Sequence, residues 1–118
     1  MAAINKHPEA RTTERMVTFE ITTAHPLPVG QQVFIAGNLE MFGAWRPDGF
    51  PLTRLDDNLW SGYAVIAEGA AVEFKITRGS WSTEEADADG APRREHHSLG
   101  AKGPVAFRYT VTRWIDRP

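Results

Sequence analysis

Ala71 to Thr77 alternates without a break: Val72, Phe74 and Ile76 are apolar, Glu73, Lys75 and Thr77 polar. A two-residue period puts successive side chains on opposite faces of a pleated strand, so one face is buried and the other meets water. Lys75 is thereby assigned to the solvent face. The same period governs Met16 to Thr22, where Val17, Phe19 and Ile21 alternate with Thr18, Glu20 and Thr22. It returns in Val105 to Val111, with Val105, Phe107, Tyr109 and Val111 on one side. Leu59 to Ile66 follows it too, with Trp60, Gly62, Ala64 and Ile66 sharing a face. Gln32 to Gly37 reads as a more fully buried strand, and Phe50 to Leu55 as a short edge strand that tolerates Pro51.

No segment sustains a helical period over three turns, and Gly and Pro punctuate the strands. The expected fold is all-β, an antiparallel sandwich. Residues 1–15 are polar and aperiodic and are expected to form a flexible tail, leaving residues 16–116 as the folded domain. Glu84 to Leu99 is hydrophilic, with Asp89-Gly90 and Pro92 as turn signals, and reads as a long loop or a short hairpin. Trp114 falls one position out of phase with the last strand, so a bulge or the strand's end must come before it.

At 118 residues the chain suffices for one domain with its own core. It has no cysteine, which removes disulfides, thiol nucleophiles and thiolate metal sites. The net charge is −2 with basic residues scattered, so neither nucleic acid nor an anionic membrane is an expected partner. The N-terminus lacks a secretory apolar run, and no segment approaches the roughly 18 apolar residues of a membrane span. The expected location is the cytoplasm.

Two of the four tryptophans have no strand to pack in. Trp60 and Trp114 lie in or beside strands with apolar neighbours and are expected in the core. Trp45 sits instead in Met41-Phe42-Gly43-Ala44-Trp45-Arg46-Pro47-Asp48-Gly49, dense in turn formers, and Trp81 follows Arg78-Gly79-Ser80. A displayed indole is a large apolar surface in water, which points to a ligand or a protein partner. If the fold joins the two loops, Trp45 and Trp81 flank outward-facing Lys75. That platform suits a sugar: pyranose C–H faces match the negative face of an indole, and hydroxyls reach an ammonium. Two tilted rings favour a bent glucan.

Other clusters point elsewhere less well. Glu85 to Gly90 spaces its carboxylates like the start of a calcium loop, but His96 occupies the twelfth position, where a bidentate glutamate belongs. His96-His97 would point to opposite faces of a strand, and a solvated loop is the expected setting. Glu84, Glu85 and Asp87 lack the deep cleft that a pair of catalytic carboxylates requires. There is no Gly-x-Ser-x-Gly elbow. No cofactor, metal or catalytic residue is expected, and the chain is read as a binding module rather than an enzyme.

Ile35-Ala36-Gly37-Asn38, Phe42-Gly43-Ala44-Trp45, Leu59-Trp60, Glu73-Phe74-Lys75-Ile76, Trp81 and Arg113-Trp114, in that order, resemble the family-20 starch-binding modules. The pattern is also similar to the glycogen-binding domain of the AMP-activated protein kinase beta subunit. It covers about Val17 to Trp114, and Phe74 to Trp81 resembles a variant found beside esterase and other hydrolase modules. The resemblance implies an immunoglobulin-like sandwich of about seven strands that binds α-1,4-glucan, starch or glycogen, without transforming it. It implies a ligand site made by Trp45, Trp81 and Lys75, with Glu73 and Arg94 contributing, and a hydrolase or other enzyme as a possible partner. Where these modules carry Asn-Arg, this chain has Arg93-Arg94, so one sugar-bonding asparagine is missing. A second site built on tyrosines has no matching pair, so a single site is expected. The alternative is the same sandwich used as a protein-interaction or regulatory module.

Overall fold

The structure, a computed structural model, describes residues 14–117. Among the described residues eight strands run in order: β1 Glu14–Thr23, β2 Phe34–Gly37, β3 Phe50–Pro51, β4 Thr53–Asp56, β5 Leu59–Ala67, β6 Val72–Thr77, β7 His97–Leu99 and β8 Val105–Val111. They form two four-stranded sheets, ordered β4-β5-β1-β8 and β3-β2-β6-β7.

The long strands form where alternation predicts them. β1 turns Val17, Phe19 and Ile21 inward, and β6 turns Val72, Phe74 and Ile76 inward, all of them buried. Phenylalanines tie the layers together: Phe19 of the first sheet meets Phe74 of the second edge-to-face at 5.3 Å, and Phe74 meets Phe107 at 5.0 Å. Each such ring contributes about 1.5–3 kcal/mol on burial, and an edge-to-face pair about 0.5–1.5 kcal/mol more. Trp60 and Trp114 are both buried, as expected of core residues.

Several expectations need correction. β1 begins at Glu14 rather than Met16, and Arg15 is buried, donating to the Gly103 and Ala70 carbonyls at 3.3 and 3.2 Å. Those carbonyls offset the cost of burying a guanidinium, which polarity counting could not anticipate. The remainder of the expected tail, residues 1–13, lies outside the described residues. The sandwich is also not wholly antiparallel, because β1 pairs antiparallel with β5 and parallel with β8.

The single edge strand expected over Phe50 to Leu55 is two strands in different sheets. Leu52 is the buried residue at the crossing, its N–H held by the Val33 carbonyl at 2.9 Å. Thr77, expected outside, is fully buried because its hydroxyl donates to the Pro47 carbonyl of an overlying loop. The hydrophilic stretch from Glu84 is a short hairpin, bridged between Ala86 and Pro92, and ends in β7. Its Glu84, Glu85 and Ala86 are buried. β8 ends at Val111, and Trp114 forms an isolated bridge to Glu85, which accounts for its phase.

Candidate functional site

Three segments meet at one end of β6. β6 supplies Glu73 and Lys75 on its outward face. The chain then leaves Thr77, passes Gly79 at φ 116°, and enters a 3-10 turn, Trp81–Thr83. Ser80 and Thr83 cap this turn reciprocally, and the Glu85 N–H returns to the Ile76 carbonyl at 2.8 Å. That closure fixes Trp81 beside Lys75, whose Nζ lies 5.8 Å from the indole centroid.

The second segment follows β2. Phe42, in the 3-10 turn Glu40–Phe42, is fully buried and anchors a tight reversal. Gly43, Ala44 and Trp45 then take consecutive positive φ values of 91°, 47° and 71°. Left-handed backbone costs a residue with a Cβ about 1–2 kcal/mol. The reversal persists because Trp45 N–H donates to the Gly37 carbonyl at 2.8 Å and Ala44 N–H to the Leu39 carbonyl at 3.0 Å. Gly49 closes the loop so tightly that an added Cβ would lie 2.2 Å from the Phe42 carbonyl oxygen.

His96, immediately before β7, is the third. The two adjacent histidines do face opposite ways. His97 is buried, stacked on Phe74 at 5.3 Å, so the expected solvated loop is incorrect for it. Its Nε2 lies 2.8 Å from a Glu85 carboxylate oxygen, and the other oxygen of Glu85 accepts from the Tyr109 hydroxyl. Burial first, and the Glu85 carboxylate second, push the Tyr109 hydroxyl up to about 12. His96 turns outward against Trp45, ring centroids 4.6 Å apart and planes tilted by 40°.

Trp45, Lys75, Trp81, Glu84 and His96 line a shallow open depression of about 320 Å³. Trp81 is 38% exposed and Trp45 is half-buried. Lys75 is less exposed than strand alternation implies, because its ammonium pairs with Glu84 Oε1 at 2.7 Å. So three of the five residues singled out as site candidates, Trp45, Trp81 and Lys75, share this surface. Glu73 stands one layer away and reaches it through His96, whose Nδ1 is 3.3 Å from its carboxylate.

Arg94 is not brought to the depression. Its guanidinium donates to Asp87 at 2.9 Å and Asp89 at 2.8 Å, and its hydrogen bond holds the Asp89 carboxyl below the usual carboxylate range. Arg93 donates to the Glu95 carbonyl at 2.9 Å and lies 6.0 Å over the Tyr109 ring. Glu84 and His96 are the lining residues that the sequence pattern missed as partners of the tryptophans. For His96 the signal was present, since strand alternation sends one of two adjacent histidines outward.

Chemically, the depression offers apolar ring faces, one ammonium, one carboxylate and one imidazole. Glu84 pairs with Lys75, and among the described residues no second carboxylate lines the depression, so they do not assemble a two-carboxylate hydrolytic pair there.

A starch binding domain family model matches residues 14–95. The chain belongs to the starch-binding domain family. A starch-binding domain of this family is a non-catalytic module that binds starch. It is 33% identical over 101 residues to an alpha-amylase from Niallia circulans, a match covering 86% of this chain and 8% of the amylase. An amylopullulanase from Thermoanaerobacterium thermosulfurigenes is 28% identical over 106 residues, 86% of this chain and 6% of that protein. The chain therefore spans a small fraction of these relatives.

Among solved structures, the starch-binding fold matches a Hypocrea jecorina family 15 glucoamylase with a TM-score of 0.65 at 23% identity, covering 86% of this chain and 17% of that one. It matches the family 20 carbohydrate-binding module of the maltotetraose-forming amylase from Pseudomonas saccharophila with a TM-score of 0.52 at 21% identity, covering 78% of this chain and 99% of that one.

Proposed function

We propose that this starch-binding domain holds α-1,4-glucan by stacking glucosyl rings on Trp45 and Trp81, with Lys75 donating to sugar hydroxyls. One observation carries the reading: two indoles 36 positions apart in the chain converge, with an ammonium, on one open depression. Separate loops stabilise that geometry at the cost of left-handed backbone at Ala44 and Trp45. The indoles offer apolar faces to pyranose C–H groups, and their placement on different loops suits the curvature of an α-glucan.

Short oligosaccharides on so open a surface bind weakly, with Kd of order 0.1–1 mM, roughly −4 to −5.5 kcal/mol. Retention on polymer then depends on multivalency or on a tethered enzyme. The relatives named alpha-amylase and amylopullulanase support a role beside a glucan-active enzyme, raising its local substrate concentration.

Calorimetric titration of maltoheptaose into wild type and Trp81→Ala tests the reading. Loss of about 1–3 kcal/mol of binding with an unchanged unfolding midpoint is expected, the magnitude taken from other aromatic stacking platforms. Equal affinity of the two proteins would remove Trp81 from the site.

A further inference from the structure

His96 is the ring of the depression to which the stacking scheme assigns no part. It is exposed, it lies against Trp45, and its Nδ1 stands 3.3 Å from Glu73 Oε1. An ionised carboxylate only accepts, so Nδ1 donates, and the neutral imidazole carries its proton there. Nε2 is then an acceptor, and it has no hydrogen-bond partner among the described residues.

Free acceptors are scarce in this depression. The indole N–H groups and the Lys75 ammonium only donate, and Glu84, whose side chain is 8% exposed, gives Oε1 to Lys75 at 2.7 Å and keeps Oε2 as its remaining acceptor. A sugar hydroxyl is donor and acceptor at once, so an exposed imidazole nitrogen adds acceptor capacity that the indoles and the ammonium cannot supply.

Building on the glucan reading above, we propose that His96 is a further ligand-contacting residue. It accepts a sugar hydroxyl at Nε2 beside the ring stacked on Trp45. Glu73 is a positioning residue that acts through His96 by holding the Nδ1–H tautomer. This gives Glu73 a role one layer behind the sugar.

The charged groups facing the His96 ring are Glu73 and Lys75 from β6 and Glu84 from the segment after Trp81. Glu95 precedes it, and the Trp45 loop brings Arg46 and Asp48, which lie 3.9 Å from one another.

The test combines imidazole ¹⁵N NMR of the ligand-free protein with maltoheptaose titrations of wild type, His96→Ala, Glu73→Gln and Trp81→Ala. The neutral His96 ring should show the Nδ1–H tautomer, and Glu73→Gln should shift it toward Nε2–H. His96→Ala should lose about three- to tenfold in affinity, the worth of one hydrogen bond, and Glu73→Gln part of that.

An Nε2–H tautomer in the free wild type overturns the proposal without any sugar. So does His96→Ala with wild-type affinity while Trp81→Ala still weakens binding, a result that leaves the stacking site intact. Full binding by Trp81→Ala, or none by wild type, removes the stacking site and this proposal with it.

Discussion

Lys75 Nζ and Glu84 Oε1 lie 2.7 Å apart, with 19% and 8% of their side chains exposed. Lys75 therefore presents its ammonium in a fixed place, tied to a carboxylate on one side and close to the Trp81 ring on another. An ordinary strand lysine keeps its head in bulk water and its rotamers free. Here the segment that follows β6, carrying Trp81 and Glu84, has folded over the outward face of that strand and taken both away.

Glu84→Gln should lower stability by about 1–3 kcal/mol, because it leaves a largely buried ammonium without its counter-charge. Adding Lys75→Met to that variant should recover much of the loss, since the unpaired charge is then gone. Urea unfolding of both variants measures this.

Ala44→Gly should stabilise the protein by about 0.5–1 kcal/mol, the relief of left-handed strain less the entropy glycine adds to the unfolded chain. Ala44 is exposed at φ 47°, so little packing is lost. A rise in the thermal midpoint with unchanged near-ultraviolet circular dichroism is the expected result.

Gly49→Ala should do the opposite. Its Cβ meets backbone atoms of Phe42 at 2.2 and 2.6 Å, which no side-chain rotation can clear. The expected loss exceeds about 1 kcal/mol, and the Trp45 loop should shift with it, weakening glucan binding more than Gly90→Ala does. Gly90 has nothing within 4 Å of an added Cβ, so that variant registers only the strain of its own φ of 86°.

The Tyr109 hydroxyl, pushed up to about 12 by burial and Glu85, makes a statement about alkaline stability. Its folded value is raised above the ordinary value of 10, so its contribution is fully present below about pH 10 and is lost as pH rises toward 12. Urea midpoints of wild type should fall between those limits by more than those of Tyr109→Phe. Parallel decline of the two proteins would contradict the assignment.

Much of the fold was legible because the long strands bury one face. Val17, Phe19 and Ile21, or Val72, Phe74 and Ile76, carry a period no helix shares. β7 was not legible, since three residues carry no period and its buried member is a histidine. The parallel pairing of β1 with β8 leaves no local trace, because it joins residues about ninety positions apart, such as Val17 and Val105.

The convergence of Trp45, Lys75 and Trp81 could be anticipated from residues that had nowhere else to go. Glu84 could not, because a buried acid whose partner lies nine positions away looks like any other acid in a hydrophilic run. Arg94 shows the reverse error. Its match to a family position said nothing of Asp87 and Asp89, which hold its guanidinium elsewhere.

The most direct test follows the four indole N–H signals by NMR while maltoheptaose is added, with cellohexaose as the control. Saturable shifts of Trp45 and Trp81, with Trp60 and Trp114 unmoved and no response to cellohexaose, are the predicted result. Millimolar maltoheptaose that leaves Trp45 and Trp81 unshifted would contradict the stacking site and favour a protein partner for the same two rings.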